Sequence, residues 1–183
     1  MADPHADLLI RIVDNFLAGG PTDTSLRALA ADIGTSHRML LYHFTSFEGL
    51  IAEVVDEVED RQRQALTALP TTGADLPTLA REFWQHNSSP RHAPVVRLFF
   101  GLYTRLLDRG ATDRAARLVS GWLTPATTLL VAAGVSTEQA TILARLGLGV
   151  TRGLLLDLLA TGDTNAVNAA MDAYIDMAFG ARR

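Results

Sequence analysis

Residues 24–50, TSLRALAADIGTSHRMLLYHFTSFEGL, decide how the rest of the chain is read. Apolar residues recur in it at three- and four-residue spacing, the period of a helix, and no alternating strand-like run interrupts them. Thr24 or Ser25 can cap a short helix over about Leu26 to Asp32, and Gly34 marks a tight turn. Ser36 can cap a second short helix that runs to about Phe44. Thr45-Ser46 then opens a long helix from Phe47 to about Leu69, with Glu48 stabilising its first turn. Leu26, Leu29, Ala30 and Ile33 can face inward from the first of these helices, and Leu40 and Phe44 from the second. That leaves His37, Arg38, Leu41 and Tyr42 on the outer face.

A helix held in this way can present its leading side chains to a DNA major groove. Arg38 can donate a bidentate pair to guanine O6 and N7, worth about 1–3 kcal/mol of discrimination. His37 can donate to base acceptors or to a phosphate, and Leu41 can touch a thymine methyl. Tyr42, His43 and the hydroxyls of Ser25 and Ser36 can bond phosphates, as can backbone N–H groups at the helix starts.

The segment resembles the DNA-binding domain of the TetR family of transcriptional regulators. The family pattern A-x-x-x-G-V-S reads here Ala30-Ala31-Asp32-Ile33-Gly34-Thr35-Ser36. The part that follows reads Leu41-Tyr42-His43-Phe44-Thr45-Ser46-Phe47-Glu48-Gly49-Leu50, in which Tyr42-His43-Phe44 with Ser46, Glu48 and Leu50 is the specific core. The motif covers roughly residues 8–55; beyond it the resemblance rests on helix count and length. It implies base contacts at His37, Arg38 and Leu41, and phosphate contacts at Ser25, Ser36, Tyr42 and His43. It also implies a homodimer and a small-molecule effector. The chain departs from the pattern at Phe47, where the family carries a lysine, and at Leu41, where many members carry a polar or aromatic base reader. Basic residues are also missing near the start of the first helix.

Charge sharpens these departures. The 183 residues carry a formal net charge of −4, and all sixteen basic residues are arginine. Residues 1–50 hold Arg11, Arg27 and Arg38 against Asp3, Asp7, Asp14, Asp23, Asp32 and Glu48. Non-specific affinity for DNA comes mainly from cationic contacts. Weak binding to random DNA and a shallow salt dependence are therefore expected.

Outward from the motif, Leu8, Ile12 and Phe16 with Leu9 and Val13 give an amphipathic first helix, ended by Gly19, Gly20 and Pro21. Downstream, Pro70 to Gly73 reads as a linker. Five more helices follow near 76–88, 94–108, 113–133, 137–160 and 164–179, separated at Pro90 and Pro94, Gly110, Gly134 and Gly162-Asp163. Pro125 should break or kink the third of them, and Ser136 with Gln139 forms a capping box before the fourth. The expected fold is all-α with about nine helices. A helix-turn-helix domain occupies residues 1–50, and a helical ligand-binding and dimerisation domain occupies 51–183.

The helix near 137–160 is apolar nearly all round, which implies burial on several sides. One side can meet its own core and the other a second chain. Gly147, Gly149 and Gly153 each cost about 1 kcal/mol of helix propensity against alanine, which close backbone approach would explain. The last helix offers Ala166, Ala169, Ala170, Ala173 and Ala178, with Met171, Tyr174 and Met177 as larger knobs. Two helices from each chain would make a two-fold four-helix bundle. An intramolecular core with no partner is the alternative. Phe83, Trp84, Phe99, Phe100, Tyr103 and Trp122 are candidate linings of an effector pocket, apolar bodies with some polar handles. Aromatics at helical spacing also make ordinary core, and both readings stand at this stage. His86, Arg97 and Arg152 can supply polar contacts there.

Other classes fit less well. With no cysteine there is neither a disulfide framework nor a thiolate ligand or nucleophile. The five histidines form no H-E-x-x-H or H-x-x-x-H pair, no G-x-S-x-G elbow occurs, and the glycines at 147, 149 and 153 lie inside a helix, not after a strand. No enzyme, metal or cofactor is expected. The apolar run Ile142 to Ala160 is interrupted by Arg145, Arg152 and Asp157, each costing about 2.5–3.5 kcal/mol at a bilayer centre. Together with the polar Met1 to Asp7 segment, this leads to the expectation of a cytoplasmic protein without a membrane partner. A helical ligand- or protein-binding dimer that has lost DNA binding remains the alternative function.

Overall fold

The computed structural model describes residues 3–19, 25–67 and 75–180. Among them lie nine helices and no strand: α1 (Pro4–Leu17), α2 (Leu26–Asp32), α3 (His37–Phe44), α4 (Phe47–Thr67), α5 (Leu76–Asn87), α6 (Ala93–Asp108), α7 (Thr112–Ala132), α8 (Thr137–Thr161) and α9 (Thr164–Phe179). The expected stop at Gly20-Pro21, the Thr24 cap, the expected α4 end near Leu69 and the Pro70–Gly73 linker lie outside the described residues.

The boundaries follow from local chemistry. Ser25, Ser36, Asp75, Ser136 and Asp163 each accept a backbone N–H at a helix start. Ser46 does the same for α4 through the Gly49 N–H. Three helix ends share one closing pattern. After α2, the Thr35 N–H bonds Ala30 O at 2.8 Å and the Gly34 N–H bonds Ala31 O at 3.2 Å. Gly110 and Gly134 close α6 and α7 in the same way. All three glycines adopt positive φ, which an L-residue with a Cβ resists.

Of the two outcomes expected at Pro125, the break does not occur: α7 runs as one α-helix from Thr112 to Ala132. The ring removes the donor for the Gly121 carbonyl. Ala115, Leu118, Trp122 and Leu130 are buried on both sides of it, and α7 packs along α8, so burial offsets the lost bond.

The chain divides into two compact units. The first holds α1 to α3, α4 as far as Arg61, and residues 90–105. Its interior takes Leu8, Ile12, Val13 and Phe16 from α1, Leu29 and Ala30 from α2, Leu40 and Phe44 from α3, and Leu50, Val54 and Val55 from α4. The second holds α4 from Gln62, α5, and residues 106–180. There Trp84, Val167, Met171, Tyr174 and Ile175 form one buried cluster, and Leu130, Ala140, Leu143 and Ala144 another.

Candidate nucleic-acid interface

Helices α2 and α3 pack together across the Gly34 turn, and Arg11 of α1 ties that turn down by donating to the Ile33 carbonyl. Leu29, Ala30, Ile33, Leu40 and Phe44 are buried, and Leu26 is half-buried. With the inward side of α3 occupied by Leu40 and Phe44, its remaining circumference faces outward. His37, Arg38, Leu41 and Tyr42 are all exposed there, and Tyr42 is the most exposed.

Each expected site residue has a definite place. Ser36 Oγ accepts the Met39 N–H at 3.1 Å and Ser25 Oγ the Ala28 N–H at 3.2 Å. Both hydroxyl protons therefore stay available for donation beside a helix N-terminus. His43 sits half-buried at the edge of the arc. Its ring lies 5.6 Å from that of His5 and 5.1 Å from that of Tyr42. His5 in turn meets Glu53 of α4 at 3.0 Å, so the end of α3 is held from both α1 and α4.

Sequence reasoning missed Met39, which is exposed on the same arc. A methionine next to Leu40 and Leu41 reads as core from composition. The signal lay in angle: at 100° per residue, position 39 stands on the far side of Arg38 from the buried Leu40–Phe44 side. It also missed the junction after α3. The Ser46 N–H donates to Phe44 O at 2.6 Å, and Thr45 between them has φ 62° and ψ −39°. This is a γ-turn with a β-branched residue at its strained centre. The turn aims the Phe44 carbonyl at Gly49, where any Cβ would collide with that oxygen.

The candidate effector residues fall in both units. Phe83 meets Trp122 edge-on at 5.7 Å, and Arg63 lies 5.9 Å over the Trp122 ring. Trp84 is buried and donates to Asn168 Oδ1 at 2.7 Å. In the other unit, Phe99 stacks on Tyr103 at 5.8 Å and meets Phe100 edge-on at 5.3 Å. Arg152 donates to the Leu118 carbonyl at 2.7 Å, and His86 and Arg97 are exposed.

On α8 and α9 the apolar surface divides. Leu143, Ala144, Val167, Met171, Tyr174 and Ile175 face inward. Ile142 (54% exposed), Leu146 (50%), Leu156 (51%) and Met177 (80%) face outward, and Gly149, Gly153, Ala166, Ala169, Ala170 and Ala173 are exposed with them. Of the three α8 glycines, only Gly147 meets a neighbour in its own chain: a Cβ there would lie 3.0 Å from the Tyr174 hydroxyl. That hydroxyl is buried without a hydrogen-bond partner, and burial pushes its pKa up. Among the described residues no group of His, Asp or Glu is arranged to hold a metal ion, and no helix is long and apolar enough to cross a membrane.

The architecture defined by these elements is a helix-turn-helix unit followed by a helical C-terminal unit. No family model matches the sequence, and no curated protein matches it. Solved structures do match. A TetR-family transcriptional regulator from Pectobacterium atrosepticum superposes with TM-score 0.70 at 22% identity, covering 94% of this chain and 90% of its own. A TetR transcriptional regulator from Legionella pneumophila gives TM-score 0.71 at 17% identity, covering 98% of both chains. NalD of Pseudomonas aeruginosa, a secondary repressor of the MexAB-OprM multidrug efflux pump, gives 0.60 at 18%, covering 96% of both. The chain has the fold of TetR-family regulators over nearly its whole length.

Proposed function

We propose that this protein is a TetR-type, ligand-responsive transcriptional regulator in the cytoplasm. It acts as a homodimer on a palindromic operator, and it is not an enzyme. The observation that carries the reading is α3: an eight-residue helix capped by Ser36, buried through Leu40 and Phe44 alone, with Arg38 and His37 exposed at its leading end. Arg38 reads guanine, His37 and Leu41 read neighbouring bases, and Ser25, Ser36, Tyr42 and His43 hold phosphates. The functional division places the reading head in residues 1–50 and dimerisation and effector binding in 51–183.

The outward faces of α8 and α9 supply the dimer contact. Both carry aliphatic and small side chains at three- and four-residue spacing, suited to a two-fold four-helix bundle. Such pairing fixes the distance between reading heads and so the half-site spacing. An apolar or aromatic effector bound among aromatic residues of the set Phe83, Trp84, Phe99, Phe100, Tyr103 and Trp122 would act through α4. That helix begins three residues after α3 ends, so its displacement moves the reading head and puts two half-sites out of register. Repression is favoured, in line with the description of NalD as a repressor, and the ligand would relieve it by the displacement of α4.

A mobility-shift experiment with DNA from upstream of the protein's own coding region tests this. Wild type should bind, Arg38→Ala should bind about tenfold to a hundredfold more weakly, and Arg97→Ala, altered at an exposed site on α6, should bind as wild type does. The acidic first fifty residues and Phe47 favour a second reading, a helical dimer that no longer binds DNA. Absence of any shift with wild-type protein would select it.

A further inference from the structure

Three large apolar side chains are exposed on the outward arc of α3: Met39 at 45%, Leu41 at 38% and Tyr42 at 80%. No packing requirement explains them, because Leu40 and Phe44 already bury the inward side. At 3.6 residues per turn, Leu41, Arg38, Tyr42 and Met39 follow one another around the outward arc. The apolar groups thus flank a guanidinium. A partner for this surface must offer acceptors to Arg38 and His37 and small apolar groups beside them. The major-groove edge of DNA offers both, as guanine O6 and N7 and the thymine C5-methyl. Electrostatics points the same way. Three arginines face six carboxylates in residues 1–50, and Arg11 is turned to the Ile33 carbonyl. Attraction to phosphate is correspondingly small, and affinity must come from contacts made without charge.

We infer that Met39 is a base-reading residue and that, with Leu41, it selects thymine methyl groups next to the guanine read by Arg38. This rests on the DNA-binding reading and adds the base class and the residue that chooses it. The half-site then contains thymine beside guanine. Replacing a contacted thymine by deoxyuridine removes one methyl and leaves every hydrogen-bonding group in place.

The test begins with selection of DNA from a random pool by the full-length protein. Enriched duplexes are then remade with deoxyuridine at each thymine of the half-site. Wild type should lose about fourfold in affinity for each contacted methyl. Met39→Ala should bind the thymine operator more weakly and be indifferent to deoxyuridine at one position that wild type senses. It should still discriminate against loss of the guanine. Its melting temperature should match wild type, since Met39 is exposed. Enriched half-sites without thymine, or equal wild-type affinity for thymine and deoxyuridine operators, would overturn the inference while leaving DNA binding intact. Failure to enrich any sequence would overturn both.

Discussion

The outward faces of α3 and of α8–α9 are both exposed and both apolar, yet they differ in what accompanies the apolar groups. On α3 the large side chains surround Arg38 and His37. On α8 and α9 the exposed Ile142, Leu146, Leu156 and Met177 are joined by glycines and alanines that permit close backbone approach. A surface mixing cationic donors with methyl-sized contacts suits a polar groove with a patterned floor. One of aliphatic knobs and small residues suits another copy of itself. The two faces therefore predict separable defects.

The largest effect is expected from Leu146→Glu, which would place an uncompensated charge in the proposed bundle. Self-association measured by sedimentation should weaken by at least about a hundredfold, while the helical content of the single chain stays unchanged because Leu146 is half exposed there. An unchanged association constant would move the dimer contact elsewhere. Arg38→Ala should reduce operator affinity by about tenfold to a hundredfold and leave self-association untouched. A parallel fall in both would break the separation between the two faces.

Gly149→Ala distinguishes the chain alone from the proposed dimer. A Cβ at Gly149 meets nothing within 4 Å in its own chain, so α8 should gain up to about 1 kcal/mol of helix stability. Association should weaken if a partner backbone approaches at that position, and a gain in both would refute close approach. Thr45→Gly should raise stability by roughly 1 kcal/mol by relieving positive φ at a β-branched residue, read from the thermal midpoint. The smallest effect concerns Tyr174. The unfolded chain loses the phenolic proton at its ordinary value near 10, whereas burial raises that of the folded chain. Stability should therefore fall as pH rises past 10. Tyr174→Phe should abolish that fall and be neutral or slightly stabilising below it, since the hydroxyl has no partner to lose.

Much of the fold was legible because its punctuation is local. Ser36, Ser46 and Ser136 cap the helices that follow them, and Gly34, Gly110 and Gly134 close the ones before, by bonds spanning a few residues. What depends on distant partners was not legible. Pro125 reads as a break or a kink until the buried residues on either side of it are known. The Arg11 tie to Ile33 spans 22 positions, and the Arg81 bonds to Asp172 and Asp176 span more than 90. Helical periodicity marked Phe83, Trp84, Phe99, Phe100, Tyr103 and Trp122 as a set. It could not say that α5 and α7 carry three of them in one unit and α6 the other three in another. On the proposed reading face of α3, Arg38 was legible from charge and position, whereas the exposure of Met39 was hidden by its chemistry.

Placement of α3 on DNA can be measured directly, because the chain has no cysteine. A single cysteine introduced as Tyr42→Cys can carry a DNA-cleaving iron chelate on the most outward position of α3, with Gln85→Cys, exposed on α5, as the counterpart. The account predicts two symmetric clusters of cuts, one in each half-site, from position 42 and none from position 85. Bound DNA left uncut from position 42, or cut from position 85 instead, would contradict it.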